Sequence, residues 1–161
     1  ALISAMIAKK GDYEIPYLVQ KEQDIQQLNF DLTEEDWKQL HESLTQVIYS
    51  RNGTGIRIQP GDMKLAGKTG TAQKSISGSY SKKKINTFAS VFPASNPKYS
   101  LVVMLDEPKT NSEYVYNYRD GSGIKYKGTP FNTAGWTSVE VVGQIIEKIG
   151  PILATKYAQI N

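Results

Sequence analysis

KLAGKTGTAQ, residues 64–73, supports two incompatible readings. Gly67-Lys68-Thr69 is how a nucleotide phosphate loop ends, with the lysine and threonine opening a helix whose N-terminus faces the phosphates. Lys68-Thr69-Gly70-Thr71 reads instead as a strand. There it sets a cation beside two hydroxyls that share one face, two residues apart, where both can reach a single anion. The first reading needs a parallel sheet with alternating helices; the second fits an antiparallel sheet.

The spacing around the motif favours the strand. A phosphate loop has four residues between its first glycine and Gly-Lys-Thr, whereas five separate Gly61 from Gly67. Gly70 and Thr71 follow where a helix should begin, in a stretch rich in threonine. Downstream, INTFASVFPA and YSLVVMLDEP read as two more strands joined by the turn SNPK. KLAGKTGTAQKS and these two make a three-strand antiparallel meander, not the strand–helix alternation of a parallel sheet.

The flanks supply the helices. LTEEDWKQLHESLTQVIYSRNGTG carries Thr33 as N-cap, Asp36 in the capping-box position, and three acids in the first turn that suit the helix dipole. Trp37, Leu40, Leu44, Val47 and Ile48 recur at three and four, so the spacing predicts a helix over residues 33–50, ended by Asn52-Gly53. SVEVVGQIIEKIGPIL predicts a second helix, with Val139, Val142, Ile146, Ile149 and Leu153 on one face and Pro151 kinking or ending it. Residues 1–8 read as the tail of a helix, YEIPYLV as an edge piece held there by Pro16, and residues 109–132 as a long tyrosine-rich loop packing over a sheet edge.

Composition narrows the chemistry. The chain has 161 residues, enough for one real core, and 39% are apolar. The net charge is +3 with basic residues scattered, so nucleic acid is not expected as a partner. The dense run Lys82-Lys83-Lys84 reads as a solvated turn. The absence of cysteine excludes disulfides and thiolate metal sites. His41, the single histidine, falls in the first helix beside Leu40 and reads as a surface residue rather than a triad base. Asp106 and Glu107 are adjacent on a strand and should face opposite ways, which argues against an acid–base pair. Metal-ligand spacing is absent, and no apolar run approaches the roughly 20 residues of a membrane span.

Lys-Thr-Gly alone should occur by chance in roughly one chain of this length in thirty. The longer string AGKTGTAQK is more specific, and it resembles the third motif of class B penicillin-binding proteins, the peptidoglycan D,D-transpeptidases. GTG before the motif, the two strands after it and TAGWTSVEVVGQIIEKIGPIL at the end are similar to the same family. DEP and TAGW resemble its division-specific, FtsI-type branch.

The resemblance implies an α+β fold: an antiparallel sheet flanked by helices, with residues 1–161 forming the C-terminal part of a single transpeptidase domain. It implies catalytic roles for Lys68, Thr69 and Gly70, with Lys68 adding positive charge near the nucleophile and Gly70 avoiding an obstruction behind the strand. It gives Thr69 and Thr71 the task of receiving the substrate carboxylate, and makes a backbone N–H near Thr71 one donor of an oxyanion hole. The family's Ser-x-x-Lys and Ser-x-Asn motifs should lie upstream of Ala1, so the chain alone is expected to be inactive. Ser50-Arg51-Asn52, Ser79–Lys82 and Ser81–Lys84 match these patterns but stand in the wrong order and context. The implied partners are peptidoglycan stem peptides, β-lactams, a septal glycan polymerase and other division-complex proteins. The implied location is the periplasmic face of the bacterial inner membrane. No cofactor or metal is implied. A β-lactam sensor or a silent interaction domain on the same fold is the alternative, and a serine β-lactamase the second, against which TAQ after the motif argues.

Overall fold

The computed structural model describes residues 1–13, 15, 19, 26–28, 30–58, 61, 63–109, 113, 115–117, 125–127 and 131–158. Helix α1 spans Leu2–Ala8, and the two-residue strands β1 (Asp12–Tyr13) and β2 (Gln26–Gln27) pair antiparallel after it. Helix α2 spans Glu34–Tyr49, and then come β3 (Ala66–Ile76), β4 (Ser79–Phe92) and β5 (Tyr99–Asp106). The short strands β6 (Val115–Asn117) and β7 (Lys125–Lys127) form a pair of their own. A 3-10 turn at Ala134–Trp136 leads into α3, Ser138–Ala158.

The predicted meander is present: β3, β4 and β5 form one antiparallel sheet in that order, with β4 central and β3 at an edge. Helix α2 starts as its sequence dictates. The Thr33 hydroxyl accepts from the Asp36 N–H at 3.2 Å, and the Asp36 carboxylate accepts from the Thr33 N–H at 2.8 Å, completing the capping box. Donation to the Asp36 carboxylate by the Thr33 hydroxyl, at 2.6 Å, and secondly by the Thr33 N–H holds that carboxyl below its ordinary value. At its other end the Leu65 N–H donates to the Tyr49 hydroxyl at 3.0 Å, tying α2 to the start of β3.

Strand alternation divides the core in two. On one face Phe88 and Phe92 of β4 pack with Leu65, Met63, Ile58, Ile48 of α2, and Val139, Val142 and Ile146 of α3. On the other face Ala66 and Val91, opposite each other in register, pack with Ala94, Ala8 of α1 and Leu44 of α2. The alternation continues along β5, where Tyr99, Leu101, Val103 and Leu105 are each less exposed than their neighbours.

Five expectations need correction. Lys82-Lys83-Lys84 is not a turn: it lies in β4, the reversal is the tight Ser77-Gly78 turn, and pairing with β3 continues through Gln73↔Lys84 and Ser75↔Tyr80. Ser79 and Ser81 therefore belong to a strand, not to a connection. Pro151 does not end α3, which runs on to Ala158, because Leu153 and Ala154 beyond it still pack against the core and that burial outweighs the lost backbone bond. Asp106 and Glu107 do not face opposite ways. The strand ends at Asp106, Glu107 turns with φ 48°, and both carboxylates meet Lys74 Nζ, at 2.5 and 2.9 Å. Lys83 Nζ reaches Glu107 at 3.2 Å, and these bonds hold the Glu107 carboxyl below and the Lys74 ammonium above their ordinary values. The edge piece read in YEIPYLV falls mostly outside the described residues; of residues 109–132, Lys109, Glu113, Phe131, Asn132 and the β6–β7 pair are described, and that antiparallel pair stands where a loop was expected.

Candidate active site

Residues 67–71 sit in the middle of β3, and no helix begins there. The phosphate-loop reading ends with that observation, since its lysine and threonine must open a helix.

Register fixes what each residue of the motif faces. Thr69 pairs with Phe88 and Thr71 with Asn86, so both threonines lie on the face that carries the main core and α3. They line a groove of about 350 Å³ with Gly53, Thr54, Ile56, Arg57, Thr133, Ala134, Gly135 and Trp136. The Thr54 and Thr69 hydroxyls are 2.8 Å apart and share a hydrogen bond. The Thr71 hydroxyl accepts from the Ala134 N–H at 2.9 Å, which leaves its own proton to donate.

The groove's far wall is aromatic and cationic. The Arg57 guanidinium stacks over the Trp136 ring, 3.3 Å from its centroid, and Phe131 meets that ring edge-on at 5.7 Å. Arg57 is buried. Behind the wall the Asn86 side-chain amide donates to Asn132 Oδ1 at 2.7 Å and to Thr137 Oγ1 at 2.9 Å, pinning the segment before α3 to β4.

Lys68 and Gly70 alternate to the opposite face. Lys68 is exposed, with Nζ 2.8 Å from the Thr69 carbonyl oxygen at the open edge of the strand. Two glycines are required by close approach. A Cβ on Gly67 would lie 2.7 Å from the Phe88 ring and 2.7 Å from the Ala89 carbonyl oxygen. A Cβ on Gly70 would lie 2.6 Å from the Thr87 hydroxyl, which bonds the Gly70 carbonyl oxygen at 3.3 Å. The expectation that a side chain at Gly70 would obstruct packing behind the strand agrees with this geometry.

Sequence reasoning missed Thr54, Arg57, Thr133, Ala134 and Trp136 as groove residues, although GTG and TAGW had been singled out. It also overlooked two further matches to Ser-x-x-Lys. Ser95–Lys98 lies in the β4–β5 connection, and Ser122 of Ser122–Lys125 is outside the described residues. Ser79 and Ser81 stand on β4 beyond the reach of its pairing with β5, far along the strand from the groove. A second cavity, between α1, α2 and the β4–β5 connection, contains His41 and touches none of the motif residues. Among the described residues there is no cluster of metal-ligating side chains.

A family model, that of the penicillin-binding protein transpeptidase domain, matches residues 1–123. A probable peptidoglycan D,D-transpeptidase FtsI of Caulobacter vibrioides is 28% identical over 117 residues, covering 68% of this chain and 18% of the relative. A peptidoglycan D,D-transpeptidase FtsI homolog of Chlorokybus atmophyticus is 43% identical over 76 residues, 46% of this chain and 11% of the relative. The chain thus spans less than a fifth of these relatives' length. Among solved structures, the transpeptidase domain of an FtsI-type D,D-transpeptidase from Legionella pneumophila superposes with a TM-score of 0.55 at 21% identity. The superposition covers 89% of this chain and 42% of that one, and supports a shared fold.

Proposed function

The chain belongs to the penicillin-binding protein transpeptidase domain family, and from that membership we propose that its parent is a serine D,D-transpeptidase. The parent cross-links peptidoglycan stem peptides at the division septum through an acyl-serine intermediate, and β-lactams acylate the same serine. Residues 1–161 are the C-terminal part of one transpeptidase domain, a reading supported by the 42% of the solved domain that the chain covers. The nucleophilic serine and its lysine come from outside these residues. The FtsI names of the relatives support the division branch.

The observation that carries this reading is the pair of threonine hydroxyls on an edge strand. Thr69 and Thr71 open onto one groove, each already oriented by a fixed partner, Thr54 and the Ala134 N–H. Thr71 keeps its proton to donate, Thr69 keeps its own when Thr54 is the donor between them, and two such hydroxyls on a fixed strand suit a carboxylate, which accepts at both oxygens. Lys68 adds positive charge at the strand edge, raising the local potential where a substrate carboxylate and a developing oxyanion would sit. Gly70 lets the strand lie close to β4, and a backbone N–H near Thr71 supplies one oxyanion-hole donor. A septal glycan polymerase and other division proteins are the fitting partners, with the domain on the periplasmic face of the inner membrane. Among the described residues no helix is long and apolar enough to cross a membrane.

Thr69→Val in the parent tests the role of the hydroxyl. Valine keeps the shape and suits a strand. It removes a donor to a charged group, worth about 1.5–3 kcal/mol, so acylation by penicillin should slow roughly tenfold to a hundredfold with little change in thermal unfolding. Unchanged acylation in a stable variant would make Thr69 structural, a partner of Thr54 only.

A further inference from the structure

Asn86 stands opposite Thr71 in the register of β3 and β4, so the two side chains share one face of the sheet. It is fully buried, where an amide is costly unless its hydrogen bonds are made. Its Nδ2 donates to Asn132 Oδ1 at 2.7 Å and to Thr137 Oγ1 at 2.9 Å. With that lone pair of Thr137 occupied, the Thr137 hydroxyl donates its proton to the Thr133 carbonyl oxygen, 2.9 Å away. The Trp136 N–H donates to the same carbonyl at 3.0 Å. This carbonyl belongs to the same planar peptide unit as the Ala134 N–H, which donates to the Thr71 hydroxyl oxygen at 2.9 Å. The 133–134 peptide is thus gripped at both ends. The bonds close a circuit that runs from Asn86 through Thr137 and this peptide to Thr71, and back across the strand pair.

We propose that Asn86 and Thr137 are positioning residues for acylation: acting through the Thr133–Ala134 peptide, they fix the direction of the Thr71 hydroxyl proton. This inference rests on the proposed function, because it takes Thr71 as a donor to the ligand carboxylate. A threonine hydroxyl rotates, and it can donate or accept. The held Ala134 N–H occupies the accepting side of Thr71 and leaves its proton to the groove. Two donors on the Thr133 carbonyl polarise the peptide and strengthen that N–H as a donor. A donor aimed before the ligand arrives needs no reorganisation when charge reaches it. Asn86 also carries a cost that packing alone does not explain. Its Oδ1 is buried with no hydrogen-bond partner among the described residues. A side chain serving only the core at this position would be better apolar, since an unmatched buried acceptor destabilises the fold.

A double-mutant cycle on the full-length parent tests the relay, with the second-order rate of acylation by labelled penicillin as readout. Each rate is taken on the fraction of protein that becomes acylated, so loss of folded protein cancels. Thr137→Val keeps the shape of the side chain and removes its hydroxyl. It should slow acylation about three- to thirtyfold, within the range for residues of one hydrogen-bond network. Thr137→Ser, which keeps the hydroxyl, should return the rate of the parent, and Asn86→Ala should slow it as Thr137→Val does. Thr71→Val removes the hydroxyl on which the relay acts, so in that background Thr137→Val should cost no further rate. A role confined to holding the segment before α3 would give the same loss in both backgrounds. Parent-like acylation in Thr137→Val or Asn86→Ala, no recovery in Thr137→Ser, or an equal loss in both backgrounds would each overturn the inference. Acylation of the unaltered parent separates the two readings. If the parent is acylated and the cycle fails, the relay alone falls; if the parent carries no adduct, the proposed function falls and the relay with it.

Discussion

Lys68→Met in the full-length parent should slow acylation by penicillin about a hundredfold to a thousandfold, the cost typical of losing one preorganised electrostatic donor at the reacting centre. Methionine keeps the length of the stem and removes the charge. The ammonium lies at the open edge of β3, 2.8 Å from the Thr69 carbonyl oxygen, with no carboxylate within ion-pair distance among the described residues. Its charge is therefore not neutralised by any carboxylate of the described residues, and it stands at the strand edge beside Thr69. The fall should exceed that of Thr69→Val, because a full charge acts on both the bound carboxylate and the developing oxyanion, whereas the hydroxyl serves one bond. The second-order acylation rate measures this, with thermal unfolding as control. An exposed lysine contributes little to stability, so the variant should unfold within a degree or two of the parent. Equal rates in the two proteins would remove Lys68 from the chemistry.

Phe88→Ala should destabilise the domain by about 3–5 kcal/mol, lowering the unfolding temperature by roughly 6–20 °C for a domain of this size class. Phe88 is fully buried, opposite Thr69, with its ring against the backbone of Gly67. It packs with residues of α2, β4 and α3, elements that cannot easily close on the cavity it would leave. The ring also supports the motif strand from beneath, so residual folded protein should show slowed acylation too. Thermal unfolding of the purified variant reads the first effect. A shift under 2 °C would mean that the core reorganises around the site.

Much of this fold is legible in the sequence because the deciding signals are local. Thr33 and Asp36 start α2 within one turn, and the period-two pattern of β5 fixes which side chains face inward. The placement of Thr69 and Thr71 on one face follows from the same period. The groove was not legible to that extent. Thr54 and Ala134 meet the threonines across 15 and 63 residues of chain, and no spacing rule connects them. The convergence of Asp106 and Glu107 escaped because a single positive φ at Glu107 breaks the alternation that the reading assumed. The lysine run escaped for a different reason. Lysines are poor strand formers by propensity, but Ser79 and Tyr80 on one side of the run and Lys84 at its end pair with β3, and this pairing on both sides carries Lys82 and Lys83 within the strand across a register shift.

Peptide mapping by mass spectrometry after labelled penicillin treatment tests the central claim most directly: β3 supplies the carboxylate-receiving motif of an acyl-serine enzyme whose nucleophile lies outside residues 1–161. The full-length parent should carry one adduct, on a serine upstream of Ala1 in a Ser-x-x-Lys sequence, and residues 1–161 alone should carry none. A stable adduct on Ser79, Ser81, Ser95 or any other serine of these 161 residues would contradict the account.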